Sequence, residues 1–144
     1  MIRMVRVSDK FAVASMVAKL WPSQTEAERA EEIEELLAQQ DAAVFLCFAG
    51  EVPVGFAQCK LRRDYVEGTS TSPVGYLEAV FVEAPYRKQG YGKALVAACE
   101  QWAKAQGCTE FASDCEWWNS QSLSFHLRIG FAEANRIICF TKKL

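Results

Sequence analysis

The sequence predicts an α+β domain in which helices flank a mixed central β-sheet, and three observations predict it. Apolar periodicity alternates between strand and helix spacing in the order β-α-α-β-β-β-α-β-α-β. The strand–helix–strand unit 74–114 has the build of a right-handed parallel crossover, while the strands on either side of Gly50-Glu51 lie close enough for an antiparallel hairpin. A chain of 144 residues, 51% hydrophobic and 24% charged, can also bury a proper core. No repeat, low-complexity tract or linker divides it, so residues 1–144 read as one domain.

The elements follow in order. Ile2 to Val7 alternates apolar and polar residues and reads as a strand. Ser8-Asp9 offers a cap for a helix over Lys10 to Leu20, which Trp21-Pro22 ends because the residue before proline is pushed out of helical geometry. Ser23 and Thr25 are each followed three residues later by Glu, two overlapping capping boxes for a helix running to about Gln39. Ala43–Ala49 and Val54–Leu61 are strands joined at Gly50-Glu51. A polar loop from Arg63 to Pro73 leads to a strand over Val74–Val82, then to a long helix from Gln89 or Gly90 to about Gln106 that Gly107 stops. Glu110–Asp114 is a short strand, Ser120–Ile129 a helix capped by Gly130, and Ala132–Thr141 a final strand.

Charge and cysteine usage narrow the function. A net charge of −2 excludes nonspecific nucleic-acid binding, which needs a basic excess. Between residues 23 and 41, seven acids face Arg29 alone, a local balance of −6, whereas cations gather at 60–63, 87–93 and the C-terminal tail. Such an acidic helix is ordinarily a solvated face, and it would also raise the encounter rate of a polycation. The six cysteines form no C-x-x-C and no finger spacing with the single His126, so no metal site is expected. The N-terminus lacks a secretory apolar core, and the longest apolar run, Ala42 to Ala49, is too short to span a bilayer. A reduced, cytoplasmic protein is expected.

The chemistry concentrates in Arg87-Lys-Gln-Gly90-Tyr-Gly92-Lys93, a strand-to-helix turn with two glycines among three cations. Glycines let successive N–H groups converge, and the helix N-terminus adds its positive end, a combination suited to a phosphate. Two familiar phosphate loops fail: a P-loop needs glycine where Arg87 stands, and a dinucleotide fingerprint needs a third glycine at Leu95. In the plainer reading, both glycines serve only a tight turn and close packing.

Arg87-x-x-Gly90-x-Gly92 after Val80-Phe81-Val82 resembles the acyl-coenzyme A signature of the GNAT superfamily of N-acetyltransferases. Asn119-x-x-Ser-x-x-x-His126-x-x-x-Gly130-Phe131 resembles that superfamily's second block. The resemblance implies a GNAT domain whose strand 74–82 splays from strand 110–114 to admit pantetheine. It implies acetyl-coenzyme A as cosubstrate, with pyrophosphate on Arg87, Lys88, Gln89, Gly90, Tyr91, Gly92 and Lys93. Val80, Phe81 and Val82 would meet the pantetheine and acetyl carbonyl, and Asn119 the pantetheine arm. More narrowly, Leu20-Trp21-Pro22, Asp64-Tyr65-Val66-x-Gly68, Leu77-Glu78-x-x-Phe81-Val82 and Ala112-Ser113-Asp114 resemble aminoglycoside 6′-N-acetyltransferases. That likeness places Trp21, Tyr65, Glu78 and Asp114 against an aminoglycoside, with Asn135 where the family has an acidic contact. It also implies a homodimer, which the terminal strand would help to pair.

Individual residues carry both a structural and a functional reading. Glu78 lies mid-strand among apolar neighbours, where it is either half of a salt bridge or a base for an ammonium that must lose its proton before attacking a thioester. Asp114 either caps a turn or joins Glu78 in an anionic pocket. Trp21 is either core or a stacking surface, and Tyr65, in a polar loop, is suggestive of binding. His126 stands where many GNAT enzymes carry a tyrosine acid, and a lone histidine on an amphipathic helix is otherwise structural. No cysteine looks like a nucleophile, so direct transfer in a ternary complex is expected. Two alternatives remain: an acetyltransferase for another small amine (polyamine, amino acid or peptide N-terminus), and a non-catalytic acyl-coenzyme A sensor.

Overall fold

The first strand is shorter than its alternation suggests. In the computed structural model, which describes residues 1–144, β1 covers Ile2–Met4 and Val7–Asp9 coils into a 3-10 turn. Asp9 is the cause: its carboxylate takes the Arg6 backbone N–H at 2.8 Å and both arms of Arg3 at 2.7 and 2.9 Å, which draws the chain back on itself. Helix α1 (Lys10–Leu20) stops before Trp21-Pro22. Helix α2 (Glu26–Leu37) uses the second of the two capping boxes, with the Glu28 N–H donating to Thr25 Oγ1 at 3.2 Å and Glu28 Oε2 accepting from the Thr25 N–H at 2.8 Å.

The strands β2 (Ala42–Ala49), β3 (Val52–Arg62) and β4 (Val74–Val82) form an antiparallel meander beside β1. Helix α3 (Tyr91–Ala105) then crosses to β5 (Phe111–Ser113), which pairs with β4 in parallel, and α4 (Ser120–Arg128) follows. The sheet order β1-β2-β3-β4-β5 is mixed and open, the predicted α+β architecture. One face packs Val13, Ala14, Met16, Ala30 and Ile33 of α1 and α2 on Leu46, Phe56 and Phe81. The other packs Leu95, Val96 and Cys99 of α3 on Cys47, Val54, Cys59 and Leu77.

Two irregularities position the site. Gln58 pairs with Ala79 while Cys59 pairs with Leu77, so Glu78 is the extra residue of a β-bulge. Strict alternation would turn Leu77 and Ala79 to the same face, yet Leu77 enters the α3 core and Ala79 the α1–α2 core. Second, β5 pairs with β4 only across Gly75, Tyr76 and Leu77, and β4 runs on to Val82 without a partner on that side. The two strands part as the resemblance implied.

The final strand is a correction. Residues 132–144 form no regular structure and are exposed. Their alternation fits a strand, but a strand needs a ladder partner, and within one chain this segment meets only side-chain contacts such as Asn135 Nδ2 donating to Glu67 Oε1 at 3.0 Å. The observed sheet therefore has five strands rather than six. All six cysteines are free thiols, four of them buried (Cys47, Cys59, Cys99 and Cys108), and no helix is long and apolar enough to cross a membrane.

Candidate active site

The bulge turns Glu78 out of both cores and toward Arg62 on β3. Arg62 donates from Nε to Oε1 at 3.1 Å, and from Nη2 to Oε1 at 2.9 Å and to Oε2 at 3.0 Å. The pair is partly buried and doubly bonded, so it holds the Glu78 carboxylate in a fixed orientation. The Arg62 guanidinium also lies flat on Tyr76, 3.4 Å from the ring centroid. Tyr76 is buried, and its hydroxyl donates to Asp114 Oδ2 at the end of β5. Burial first, then that bond and the Asp114 charge, push the Tyr76 hydroxyl well above its ordinary pKa, so it stays a donor. Glu78 and Asp114, named from sequence as one anionic pocket, are thus joined through Arg62 and Tyr76. A cavity of about 460 Å³ opens beside them, lined by Asp41, Lys60, Arg62, Arg63, Asp64, Tyr65 and Glu78.

The glycine turn lies at the far end of β4. A 3-10 turn over Ala84–Tyr86 precedes Arg87, whose Nε donates to the Val82 carbonyl at 2.8 Å and whose guanidinium lies 5.7 Å from the Phe81 ring centroid. Gln89 donates to the Pro85 carbonyl at 3.1 Å, so Arg87 and Gln89 brace the turn. Lys88 has φ 60 and Gly90 φ 88, a left-handed pair that reverses the chain into α3. The first bond of the helix runs from the Ala94 N–H to the Gly90 carbonyl, and no side chain caps the turn. The leading N–H groups at Tyr91, Gly92 and Lys93 are therefore open to an anion, while Val80, Phe81 and Val82 lead up from the splay. Gly92 also lies under α4: a β-carbon there would come within 3.0 Å of the Phe125 ring.

The remaining sequence-predicted residues divide. Tyr65 is 77% exposed on the cavity wall, and Trp21 is half-exposed after α1, so neither is core. Asn119 caps α4, its Oδ1 accepting from the Ser122 N–H at 3.1 Å. His126 is engaged at both ring nitrogens. The Ser122 carbonyl, 2.7 Å from Nδ1, can only accept, so Nδ1 carries a proton there, and Nε2 lies 2.8 Å from the Ser113 hydroxyl. Both ring nitrogens are thus engaged within the protein. Asn135 sits on the exposed terminal segment, its Nδ2 donating to Glu67 Oε1 at 3.0 Å. Sequence reasoning missed Arg62, Tyr76 and Ser113. Tyr76 and Glu78 stand two apart on one strand with Arg62 inside the 60–63 cation cluster on its neighbour, a signal that becomes legible only once the strands are paired.

A mixed sheet whose parallel strands part in front of an uncapped, glycine-led helix defines an acyl-coenzyme A-dependent acyltransferase. The chain belongs to the acetyltransferase (GNAT) family, whose model matches residues 12–131. It is 40% identical over 144 residues to aminoglycoside N(6′)-acetyltransferase type 1 of Stenotrophomonas maltophilia, covering 99% of this chain and 93% of the relative. It is 42% identical to the enzyme of that name from Klebsiella aerogenes, covering 100% and 97%. Among solved structures it resembles AAC(6′)-Iy in complex with the bisubstrate analogue CoA-S-monomethyl-acetylneamine, with a TM-score of 0.95 and 34% identity over 100% of this chain and 98% of that one. The aminoglycoside 6′-N-acetyltransferase AAC(6′)-IG of Acinetobacter haemolyticus gives a TM-score of 0.93 at 34% identity, over 100% and 99%.

Proposed function

We propose that this protein is an acetyl-coenzyme A-dependent N-acetyltransferase acting on the 6′-amino group of aminoglycosides, and that it thereby confers resistance. The observation that carries the reading is the placement of Glu78, bulged out of β4 where β4 and β5 part, between a polar cavity and an open helix N-terminus. Full-length likeness to enzymes of that activity supports it.

In this reading the N–H groups of Lys88 to Lys93 hold the coenzyme pyrophosphate, and the unpaired edge of Val80 to Val82 holds the pantetheine arm and the acetyl carbonyl. The coenzyme supplies an acetyl thioester. Glu78 takes a proton from the bound ammonium, directly or through water, and leaves a neutral nitrogen to attack. Tyr65 and Trp21 flank the sugar rings, and Asp114, steadied by Tyr76, faces a second cationic group. His126 orients Ser113 and ties α4 to β5.

We place the enzyme in the cytoplasm as a homodimer. Ile137, Ile138 and Phe140 are exposed on an unpaired extended segment, and β5 is an edge strand, so a second copy is the partner that would give the segment its ladder. The test is a coenzyme A release assay over a panel of amines, with mass-spectrometric assignment of the product. Acetylation at the 6′-nitrogen of kanamycin-type substrates, with no amide from 6′-hydroxyl analogues, is expected. Turnover confined to polyamines, amino acids or peptide termini, or no turnover at all, would overturn it.

A further inference from the structure

Arg62 lays its guanidinium across both Glu78 and Tyr76. A carboxylate offers about four lone-pair positions. Oε1 of Glu78 accepts twice from Arg62, at 3.1 and 2.9 Å, and is filled, whereas Oε2 accepts once, at 3.0 Å, and keeps one position open. The cation is not free to follow a ligand. Its flat face rests on Tyr76, a buried ring tethered to Asp114, and its edge is forked onto Glu78.

We propose that Arg62 is a positioning residue for acyl transfer: it fixes Glu78 so that the open position on Oε2 meets the acceptor amine, and its charge, held beside that amine, favours the neutral nucleophile over the ammonium. The proposal rests on the amine binding at Glu78. A lone carboxylate there would orient the ammonium but also stabilise it, and a stabilised ammonium has no lone pair to give. Arg62 answers that charge while leaving the directional acceptor in place. The other charged groups around the site are Lys60 from β3, Arg63 and Asp64 from the following loop, and Asp41 before β2, with Tyr76 and Asp114 behind the guanidinium. Asp41 lies 3.8 Å from Arg63, which leaves Arg62 as the cation bonded to Glu78. In the step itself the ammonium gives one proton to Glu78 or to water bound there. The nitrogen lone pair forms the C–N bond, the C–S bond breaks, and the thiolate leaves with the bonding pair and takes up the second amine proton.

The experiment measures kcat and KM against pH for the wild type, Arg62→Met, Arg62→Lys and Glu78→Gln. Two acceptors are used: a kanamycin-type aminoglycoside, and its analogue made less basic by fluorine on the carbon next to the 6′-aminomethyl group. Arg62→Met is expected to lower kcat for the basic amine on the order of tenfold to a hundredfold near neutral pH. The deficit should narrow as pH rises and be smaller for the fluorinated acceptor. Arg62→Lys should recover part of the rate, keeping the charge without the fork, and added guanidinium should rescue Arg62→Met. A deficit equal for both acceptors and flat with pH, or a change in KM alone, would overturn the proposal. Wild-type behaviour of Arg62→Met beside an impaired Glu78→Gln overturns it alone, whereas wild-type rates in Glu78→Gln overturn the placement of the amine and this proposal with it.

Discussion

Glu78 is the residue whose chemistry is most sharply tested. Glu78→Gln keeps its shape but removes the proton acceptor and one negative charge. A lost general base lowers kcat on the order of 10²–10⁴-fold, whereas a lost orienting charge raises KM. Steady-state kinetics on a 6′-amine acceptor separates the two, and a fall in kcat is expected. A different residue carries a stability test. Arg29 is 3% exposed on α2, and its Nε and Nη2 have no partner. Desolvated donors without acceptors are destabilising, so Arg29→Met should raise the thermal midpoint, in line with about 1–3 kcal/mol for such groups. A lower midpoint in calorimetry would show that the guanidinium is satisfied in solution. Sequence alone marked Glu78 as awkward in a strand but did not reveal its counter-ion, because the bond to Arg62 crosses between strands.

Helices and turns were legible where a local rule governs them. Trp21-Pro22, the Thr25 capping box and the glycine turn each ended or began an element as the residues dictated. The 3-10 turn at Val7–Asp9 was not, since a side-chain clasp between Arg3 and Asp9 overrode the alternation. That clasp has a pH signature. The Arg3 bond holds the Asp9 carboxyl below its usual range, and bonds from Thr71 and the Ser70 N–H do the same for Glu110. A depressed folded value means a contribution fully present above about pH 4 and lost as pH falls through the folded value. Stability should therefore decline on acidification below about pH 4, and Asp9→Asn should flatten that decline in denaturant titrations. The glycine turn gives a second test at this scale. Gly90→Ala forces a β-carbon into left-handed backbone with no neighbour to meet, so it should cost about 1 kcal/mol and weaken coenzyme A binding in calorimetry.

For the molecule as a whole, element order and the two-sided core were written in the periodicity, and so was the parallel crossover. The fate of residues 132–144 was not, because whether an alternating segment becomes a strand depends on a partner that one chain does not contain. Removing residues 132–144 is expected to leave the five-stranded fold intact and, if the proposed pairing holds, to leave only monomer in light scattering. A full-length monomer at micromolar concentration would contradict the paired assembly.

The bulge at position 78 has an evolutionary consequence. Leu77 and Ala79 are each committed to a core, so variation there is constrained by packing. The inserted residue between them belongs to neither core and has no ladder partner. Its side chain is thus released from core packing and answers instead to Arg62, its partner on the neighbouring strand. A lineage can retune what it accepts at this strand-to-strand pair while the two cores on either side stay as they are.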